Sequence, residues 1–290
     1  MTKVLVTGAA GNAGTAVSQM LAKKGYTVRQ ADACAPSAEN RELGEFMRVD
    51  TRSPQDVLRA VEGVDAVIHL AAWHCAHNPP VSDPTIWGVN VDGTFYVLDA
   101  CRTYGVKTIV YASSMAYGHG SVYGLSKIIG EDLCRTYHEM TGAAIAMLRY
   151  HDFVPKPYLQ FGPKLLWNGV DRRDVAAATV ASTEAGLEKK IGLFRTIVHT
   201  DHGFPDEVVT DFGTLGRDWC ESQVPGATAL IDKYKLPTPD RVEKHDLSEA
   251  ARLTGWKPAY GFIEFLQDLK ARDARGEDVA NLWAPGQIPE

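Results

Sequence analysis

The residues best placed to do chemistry are a tyrosine and a lysine that follow two serines. Ser113 and Ser114 end an apolar run, and Tyr123 and Lys127 lie in a stretch with helical periodicity, at a spacing that puts both side chains on one helix face. A free tyrosine, with a pKa of about 10, is a poor base at neutral pH. An ammonium group one turn away stabilises its phenolate. The pair is therefore suited to accept a proton from a hydroxyl group whose oxygen a serine holds.

A glycine-rich turn follows the first apolar run, residues 3–7, and leads into an apolar, helix-spaced segment. Gly8, Gly11 and Gly14 recur there at a spacing of three. Gly8 permits a tight turn, Gly11 lets the backbone approach a pyrophosphate, and Gly14 lets the helix pack closely on its strand. The pattern predicts a dinucleotide site at a helix N-terminus. A glycine-rich turn without a ligand is the alternative, because such a triplet alone is a weak signal.

An acidic residue at the end of the next apolar run strengthens this prediction. Asp32 lies about 20 residues past the glycines, where a carboxylate accepts hydrogen bonds from the adenosine ribose diol. It would repel a 2′-phosphate, and residues 33–36 contain no arginine or lysine to neutralise one. NAD is therefore favoured over NADP. The alternative is that Asp32 only caps a loop.

Short apolar runs alternate with helix-period stretches through the first half of the chain. A helix is predicted over 123–140, and the run at 64–72 is typical of a strand buried on both faces. We interpret His69, inside that run, as a core histidine. The alternation predicts a doubly wound α/β fold, a parallel sheet with helices on both faces. Strands are predicted over residues 3–7, 26–32, 45–50, 64–72, 106–112 and 144–149.

Composition limits the possible partners. The 290 residues are 45% hydrophobic and 23% charged, with a net charge of −6 and scattered Lys and Arg. This argues against a nucleic-acid surface and against binding to an anionic membrane. No apolar run reaches about 18 residues and no signal peptide is recognised, so we expect a cytoplasmic protein. The five cysteines lack Cys-x-x-Cys spacing and are interpreted as free thiols in a reducing compartment.

In combination, these features resemble the extended short-chain dehydrogenase/reductases, the family of NAD-dependent sugar epimerases, dehydratases and dehydrogenases. The resemblance is strong over about the first 150 residues and looser in the remainder, through 170–176 and 253–258. The motifs that carry it are Gly8-x-x-Gly11-x-x-Gly14, Asp32, Val49-Asp50, His69-Leu70-Ala71-Ala72, Asn90-x-x-Gly93-Thr94, Ser113-Ser114, Tyr123-x-x-x-Lys127 and Leu148-Arg149.

The resemblance implies a set of site residues. Ser114, Tyr123 and Lys127 would be catalytic, Asp50 would contact the adenine, and Ala71 and Ala72 would pass under the cofactor. The other implied NAD-binding residues are Gly8, Gly11, Asn12, Ala13, Gly14, Asp32, Leu70, Asn90, Tyr123 and Lys127.

One position in this set is open to a second interpretation. The segment between Ser114 and Tyr117 is one residue shorter than the family pattern, so counting back from Tyr117 selects Ser113 as the catalytic serine. Counting forward from Lys107 selects Ser114. We prefer Ser114 because strand register is rigid, whereas a loop absorbs a deletion.

The resemblance also divides the chain. Residues 1–150 are expected to form the NAD-binding Rossmann domain, its sheet completed by parts of 170–200, and residues 151–290 a smaller, mainly substrate-binding region. Lys156, Lys164 and Arg172 are candidates to bind an anionic substrate, although each is more simply a solvated charge. We assign no metal, because no ligand spacing recurs among His199, His202, Asp201, Asp206 and Glu207.

The expected function is an NAD-dependent oxidoreductase that acts on a secondary alcohol or carbonyl of a small sugar, sugar acid or polyol. Within the family, the chain most resembles the uronate dehydrogenases, through its compact length and the run Phe153-Val154-Pro155-Lys156-Pro157. A nucleotide-sugar 4-epimerase is the alternative enzyme. A cofactor-sensing binding protein is the alternative from another class, and the intact Ser, Tyr and Lys argue against it.

Two departures from the family pattern argue against a nucleotide-sugar substrate. Relatives that use such substrates carry a diphosphate-binding asparagine where this chain has Asp152, and an arginine where it has Trp167. A buried carboxylate about 4 Å from phosphate oxygens would cost about 4 kcal/mol, unless it is protonated or bridged by a cation. The region that would enclose the nucleotide is also short. We therefore expect a small, unactivated substrate.

A homodimer is expected from two apolar helices. The segments around 83–104 and 123–140 carry apolar side chains on more than one face, more than packing against a sheet requires. In relatives, these helices pair about a two-fold axis. The residues concerned are Ile86, Val89, Phe95, Val97, Leu98, Ile128, Ile129, Leu133 and Tyr137.

Overall fold

The computed structural model describes residues 1–74 and 79–286. The chain divides into two compact units. The first unit comprises Met1–Tyr150, Ala176–Ile197 and Ala250–Trp256, and the second comprises His151–Val175, Val198–Glu249 and Lys257–Glu290.

Seven strands form one sheet, in the order β3-β2-β1-β4-β5-β6-β7. The pairings from β3 through β6 are all parallel, and every residue of the inner strand β5 is buried. The predicted doubly wound parallel sheet is confirmed. The strands are β1 Lys3–Thr7, β2 Thr27–Asp32, β3 Gly44–Arg48, β4 Ala66–His69, β5 Thr108–Ser114, β6 Ala144–Tyr150 and β7 Leu193–Val198.

Helices connect the strands, and several have clear sequence signals. Ser53 caps α3 by accepting a hydrogen bond from the Asp56 N–H, with Pro54 in the first turn, and Ser121 caps α6 in the same way. The helices are α1 Asn12–Lys23, α2 Ala38–Arg41, α3 Pro54–Val61, α4 Asp83–Trp87, α5 Gly93–Tyr104, α6 Val122–Thr141, α7 Tyr158–Lys164, α8 Arg172–Leu187, α9 Asp206–Thr210, α10 Phe212–Gln223, α11 Ala227–Lys233, α12 Ser248–Thr254 and α13 Phe262–Ala274. Within the described residues, none of these helices is long and apolar enough to span a membrane.

Two strand predictions extend too far. The strand expected over 64–72 is Ala66–His69, because beyond His69 the chain leaves regular pairing and Ala71 N–H turns to the Thr7 side-chain oxygen. The strand expected over 45–50 is Gly44–Arg48. A continuous apolar run therefore marks a strand well but does not mark its carboxyl end.

The strand order places a crevice at the carboxyl ends of β1 and β4. From β1 the sheet grows in one direction to β2 and β3, and in the other to β4 and β5. Doubly wound sheets bind ligands outside the strand ends at this reversal. Gly8 follows β1 and Leu70 follows β4, so the predicted cofactor turn and the predicted cofactor-covering segment lie at this edge.

The second unit has an aromatic core packed mainly by short helices. Tyr158 of α7, Phe212 of α10 and Phe262 of α13 are almost completely excluded from solvent. Two isolated bridges tie its loops, Asp152 to Gly169 and Pro157 to Trp283. Its segments come from distant parts of the sequence, so loop packing determines which side chains meet.

Candidate active site

Two glycines of the first turn cannot be replaced without displacing backbone. Gly8 has a φ of +68°, and a Cβ there would lie 2.8 Å from the Ala71 nitrogen. A Cβ on Gly14 would lie 2.0 Å from the Gly8 carbonyl oxygen, because α1 packs directly on the turn. The spacing predicted for a dinucleotide turn therefore has the expected steric basis.

The N-terminus of α1 is free of a side-chain cap. Gly11 is the N-cap residue and offers no side-chain acceptor, in contrast to the serine caps of α3 and α6. The first N–H groups of a helix have no intrahelical acceptors, and this N-terminus attracts an anion. Asn12, Ala13 and Gly14 form this first turn, so the predicted pyrophosphate-binding residues lie together.

Asp32 ends β2 beside the turn. One carboxylate oxygen accepts a hydrogen bond from Ala10 N–H at 2.9 Å, and the other accepts one from Cys34 N–H at 2.9 Å. The carboxylate thus fixes two loops, as the alternative interpretation expected. A carboxylate has about four acceptor positions, so these two bonds leave acceptors for a ribose diol.

Asp50 has a partner that the sequence pattern did not reveal. The Arg52 guanidinium donates hydrogen bonds to both oxygens of its carboxylate, with Nη2 2.6 Å from Oδ2. These hydrogen bonds lower the Asp50 pKa, against a smaller opposing effect of burial. Any adenine contact would therefore involve a carboxylate that is already paired.

Asn90 holds the segment after β4 against α6. Its side-chain oxygen accepts the Trp73 N–H, and its amide nitrogen donates to the Trp73 carbonyl and to the Ser126 hydroxyl. Ser126 in turn donates to the Tyr123 carbonyl. The contacts support a positioning role for Asn90. The predicted cofactor-covering residues Leu70, Ala71 and Ala72 lie just before Trp73 and are half-buried.

The two serines at the end of β5 have different surroundings. Ser113 donates a 2.6 Å hydrogen bond to the buried Glu131 carboxylate. Ser114 accepts the Ala116 N–H, and its hydroxyl proton is not committed to Glu131. Adjacent strand residues point to opposite faces. These surroundings favour Ser114 as the serine available to a substrate.

Tyr123 and Lys127 lie buried on one face of α6, as their spacing predicted. Lys127 Nζ donates to the Ala112 carbonyl at 2.7 Å and lies 5.5 Å from the centre of the Tyr123 ring. Burial lowers the Lys127 pKa to about 8, with nearby Cys134 and Glu131 opposing the fall. The ammonium is therefore held at a fixed point beside the phenol ring.

His69 is a core residue, and this prediction is confirmed. Its ring nitrogens lie 2.7 Å from Thr7 Oγ1 and 3.0 Å from Thr94 Oγ1. Burial, reinforced by the Lys127 charge, lowers its pKa to about 3. The ring is therefore neutral at physiological pH.

Two residues near the site were missed by sequence reasoning. The His74 ring packs edge-on against Tyr123, with ring centres 4.6 Å apart. Glu131 forms a two-point ion pair with Arg149 in addition to its bond with Ser113. Glu131 lies one helical turn beyond Lys127, so the helical spacing was a usable signal for it. His74 lies in an irregular loop without such a signal.

The candidate cations of the second unit differ in their pairing. Lys156 forms a 2.8 Å ion pair with Asp152, and Lys164 donates to the Asn168 side chain. Arg172 is buried, its pKa is lowered by desolvation, and its Nε has no hydrogen-bond partner among residues 1–74 and 79–286. Trp167 packs against the aromatic core.

The residues considered for a metal do not form one cluster. Asp206 pairs with Lys244, and Asp201 accepts the Gly203 N–H. His199 instead packs against His151 and His245, which were not considered from the sequence.

Comparison with known proteins finds relatives for the N-terminal half of the chain. Residues 4–157 match the model of the NAD dependent epimerase/dehydratase family. Uronate dehydrogenase of Pseudomonas putida is 34% identical over 175 residues, 53% of this chain and 62% of that protein. A putative UDP-glucose 4-epimerase of Methanocaldococcus jannaschii is 32% identical over 167 residues, 51% of this chain and 54% of that protein. The matches thus span about three-fifths or less of these relatives.

The fold is shared along most of the chain. A short-chain dehydrogenase/reductase superfamily protein from Agrobacterium tumefaciens, solved with bound NAD, has a TM-score of 0.70 at 22% identity, covering 94% of this chain and 98% of that one. At this identity, the likeness shows the fold alone. Because the family model matches more than half of the sequence, the chain belongs to the NAD dependent epimerase/dehydratase family.

Proposed function

We propose that the protein is an NAD-dependent oxidoreductase that acts on a secondary alcohol or carbonyl of a small sugar or sugar acid. The observation that carries the proposal is the buried Tyr123–Lys127 pair, with the ammonium held by the Ala112 carbonyl 5.5 Å from the phenol ring. The uronate dehydrogenase relative supports the substrate class.

NAD fits the residues of the first unit. The uncapped N-terminus of α1 would receive the pyrophosphate, the close packing of Gly8 and Gly14 leaves no side chain in its way, and Asp32 keeps acceptors for the ribose diol. When bound, NAD⁺ supplies the hydride acceptor.

The chain's own residues handle the proton. The Tyr123 phenolate would take the hydroxyl proton of the substrate, while the Lys127 ammonium stabilises the negative phenolate oxygen. The Ser114 hydroxyl would donate a hydrogen bond to the substrate oxygen as it becomes a carbonyl. The balance is one alcohol oxidised to a carbonyl, one hydride transferred to NAD⁺ and one proton released through Tyr123.

The chain offers a cation for an acidic substrate. Of the three cationic candidates in the second unit, Lys156 and Lys164 have polar partners, whereas the Nε of the buried Arg172 has no hydrogen-bond partner in the part of the chain that the structure describes. A carboxylate would satisfy that donor, and arginine pairs with carboxylates at two points. We therefore propose a carboxylate-binding role for Arg172 within the second unit.

The test is formation of reduced nicotinamide with purified protein, NAD⁺ and a panel of hexuronic acids, neutral aldoses and UDP-sugars. Net reduction with a hexuronic acid is expected. Absence of cofactor reduction with every sugar and sugar acid would contradict the proposal.

A nucleotide-sugar 4-epimerase is the second candidate, favoured by the Methanocaldococcus jannaschii relative. Lys156 forms an ion pair with Asp152. This pairing lowers the electrostatic cost of placing a substrate phosphate beside the Asp152 carboxylate. Trp167, however, offers no charge to a diphosphate. Calorimetric titration with UDP, dTDP and GDP should show no micromolar site other than the NAD site. Such a site would favour the epimerase.

A homodimer is also proposed. Phe95 of α5 and Leu125 and Met140 of α6 are exposed, and Ile128 and Ile129 are half-buried, as expected for two helices that pair with a second copy. Ile86, Val97, Leu98 and Tyr137, expected among the pairing residues, are instead buried. Light scattering at micromolar concentration should give a dimer mass, and a monomer mass would contradict the proposal.

A cytoplasmic location without nucleic-acid partners completes the proposal. Cys34, Cys101, Cys134 and Cys220 are free thiols, which suits a reducing compartment. The net charge of −6 disfavours a phosphate backbone. Cell fractionation and a gel-shift assay test the two statements.

A further inference from the structure

Three histidines of the second unit point their ring nitrogens at one another. They are His151, just after β6, His199, just after β7, and His245 in the segment before α12. One ring nitrogen from each lies within 4.8 Å of the others. His151 and His199 are buried, and the His151 and His245 Nε2 atoms are only 3.0 Å apart.

A carboxylate joins this cluster. Glu243 Oε1 lies 3.0 Å from His245 Nε2 and 3.8 Å from His151 Nε2. The spacing suits a shared ion, because in a tetrahedral zinc site with ligands at about 2.0–2.1 Å, neighbouring ligand atoms lie about 3.3–3.4 Å apart. The distances of 3.0, 3.0 and 3.8 Å among His151, His245 and Glu243 bracket that value, and a ring nitrogen of His199 lies within 4.8 Å of those of His151 and His245.

Hydrogen bonding within the protein does not account for the cluster. A proton between His151 Nε2 and His245 Nε2 satisfies that pair, but it leaves His199 without a partner. His199 is fully buried, and neither of its ring nitrogens forms a hydrogen bond with any residue that the structure describes. A buried unpaired imidazole is costly, and a metal ion would satisfy its lone pair.

The His151 ring also has an outer contact of the kind that metal ligands have. The backbone of Asn168 interacts with the His151 ring. Metal-binding histidines commonly direct their second nitrogen to a backbone carbonyl in this way.

We propose that His151, His199 and His245 bind one divalent cation of the zinc class, beside the Glu243 carboxylate. Three imidazoles favour Zn²⁺ and similar borderline ions over Mg²⁺ or Ca²⁺, which prefer oxygen ligands. The ion would join three segments of the second unit that are distant in sequence, so its binding stabilises that unit. This proposal is independent of the dehydrogenase function, and it replaces the sequence-based expectation of no metal.

The test is zinc binding by tag-free full-length protein, measured by equilibrium dialysis and metal analysis. One equivalent of Zn²⁺ per chain is expected, undisturbed by excess Mg²⁺. His245→Gln changes the most exposed histidine of the set. It should weaken Zn²⁺ binding by at least the roughly 10- to 100-fold that loss of an outer-shell partner costs. His138→Gln, which changes a histidine of the first unit bonded to the Ala143 carbonyl, should bind Zn²⁺ like the wild type.

Two outcomes would overturn the proposal. One is wild-type protein that binds no stoichiometric Zn²⁺, and the other is His245→Gln protein that binds it as tightly as the wild type. Because a variant can misfold, wild-type protein loaded with Co²⁺ gives a second measurement. Intense visible ligand-field bands of a four-coordinate ion are expected, and the weak spectrum of hydrated Co²⁺ would contradict the site.

Discussion

Each unit of this protein buries a histidine, and the two differ in what surrounds them. In the first unit, both ring nitrogens of His69 meet threonine hydroxyls, one from the neighbouring strand β1 and one from α5. In the second unit, His199 is at least as buried and neither of its nitrogens has a hydrogen-bond partner in the described chain. A regular sheet places hydrogen-bond partners for a buried histidine at fixed positions. The irregular loops of the second unit instead place His199 beside two other imidazole rings, and a bound ligand would satisfy its ring nitrogens.

The largest effect is expected from a change in the buried polar network around Glu131 in the first unit. Glu131→Ala removes a buried carboxylate and leaves the half-buried Arg149 and the buried Ser113 without their ionic partner. We expect a loss of about 3 kcal/mol in the free energy of unfolding, measured by urea denaturation. Asp132→Ala, at the next position of α6, removes only an exposed pair with Arg135 and should cost less than about 1 kcal/mol. Equal losses of unfolding free energy in the two variants would show that the Glu131 network stabilises the protein no more than an exposed ion pair does.

A second test separates chemistry from packing in the same unit. Tyr123→Phe keeps the ring that packs against His74 and removes the hydroxyl. We expect turnover to fall by roughly 100-fold or more, as for loss of a general acid/base. NAD affinity, followed by fluorescence titration, should stay nearly unchanged. Tyr104→Phe changes an exposed tyrosine of α5 and should leave turnover intact. Survival of turnover in Tyr123→Phe within a few-fold would remove Tyr123 from the mechanism.

The third test uses pH to probe the satisfied histidine. The folded-state pKa of His69, about 3, lies below its ordinary value of 6.5. The unfolded chain therefore binds the extra proton first, and the stability present above pH 6.5 is lost as the pH falls. Between about pH 7.5 and about pH 5, His69 should contribute a loss of about 2 kcal/mol. His69→Gln should lose correspondingly less unfolding free energy over this pH range. A pH profile identical to that of the wild type would show that His69 does not have a lowered pKa in the folded protein.

The smallest expected effect concerns cofactor choice. Asp32→Ala removes an acceptor for the ribose diol, and a hydrogen bond to a charged group contributes about 1.5 kcal/mol, or roughly tenfold in affinity. The affinity for NAD should fall by about that factor, and the ratio of NAD affinity to NADP affinity should decrease. Gln30→Ala, also in β2, is the control for strand damage. An unchanged preference in Asp32→Ala would show that this carboxylate does not contact the ribose.

The same contrast explains what the sequence could predict. In the first unit, fixed periods link sequence to geometry: Gly8 and Gly14 predict a turn under a helix, and Tyr123 and Lys127 predict one helix face. The parallel sheet followed from apolar runs that alternate with helices. Arg52 was missed as the partner of Asp50, because an arginine two residues away in a loop carries no periodic signal.

In the second unit, no period links the residues of the histidine cluster. His151 and His245 approach within hydrogen-bond distance although they lie 94 positions apart. The residues grouped from the sequence were neighbours along the chain, His199, His202 and Asp206, whereas the structure groups His199 with residues from two other segments. Nearness in sequence was therefore a poor guide, because loop packing decides which side chains meet.

Isotope labelling of the substrate tests the proposed dehydrogenase activity by following the hydride itself. A hexuronic acid deuterated at its carbinol carbons is incubated with the protein and NAD⁺, and the reduced cofactor and the sugar product are analysed by mass spectrometry. A dehydrogenase that uses Tyr123 as its base predicts one deuterium in each reduced nicotinamide formed and an oxidised product lacking it. Sugar that is recovered with its deuterium, without released reduced cofactor, would show that the protein is not a net dehydrogenase of hexuronic acids.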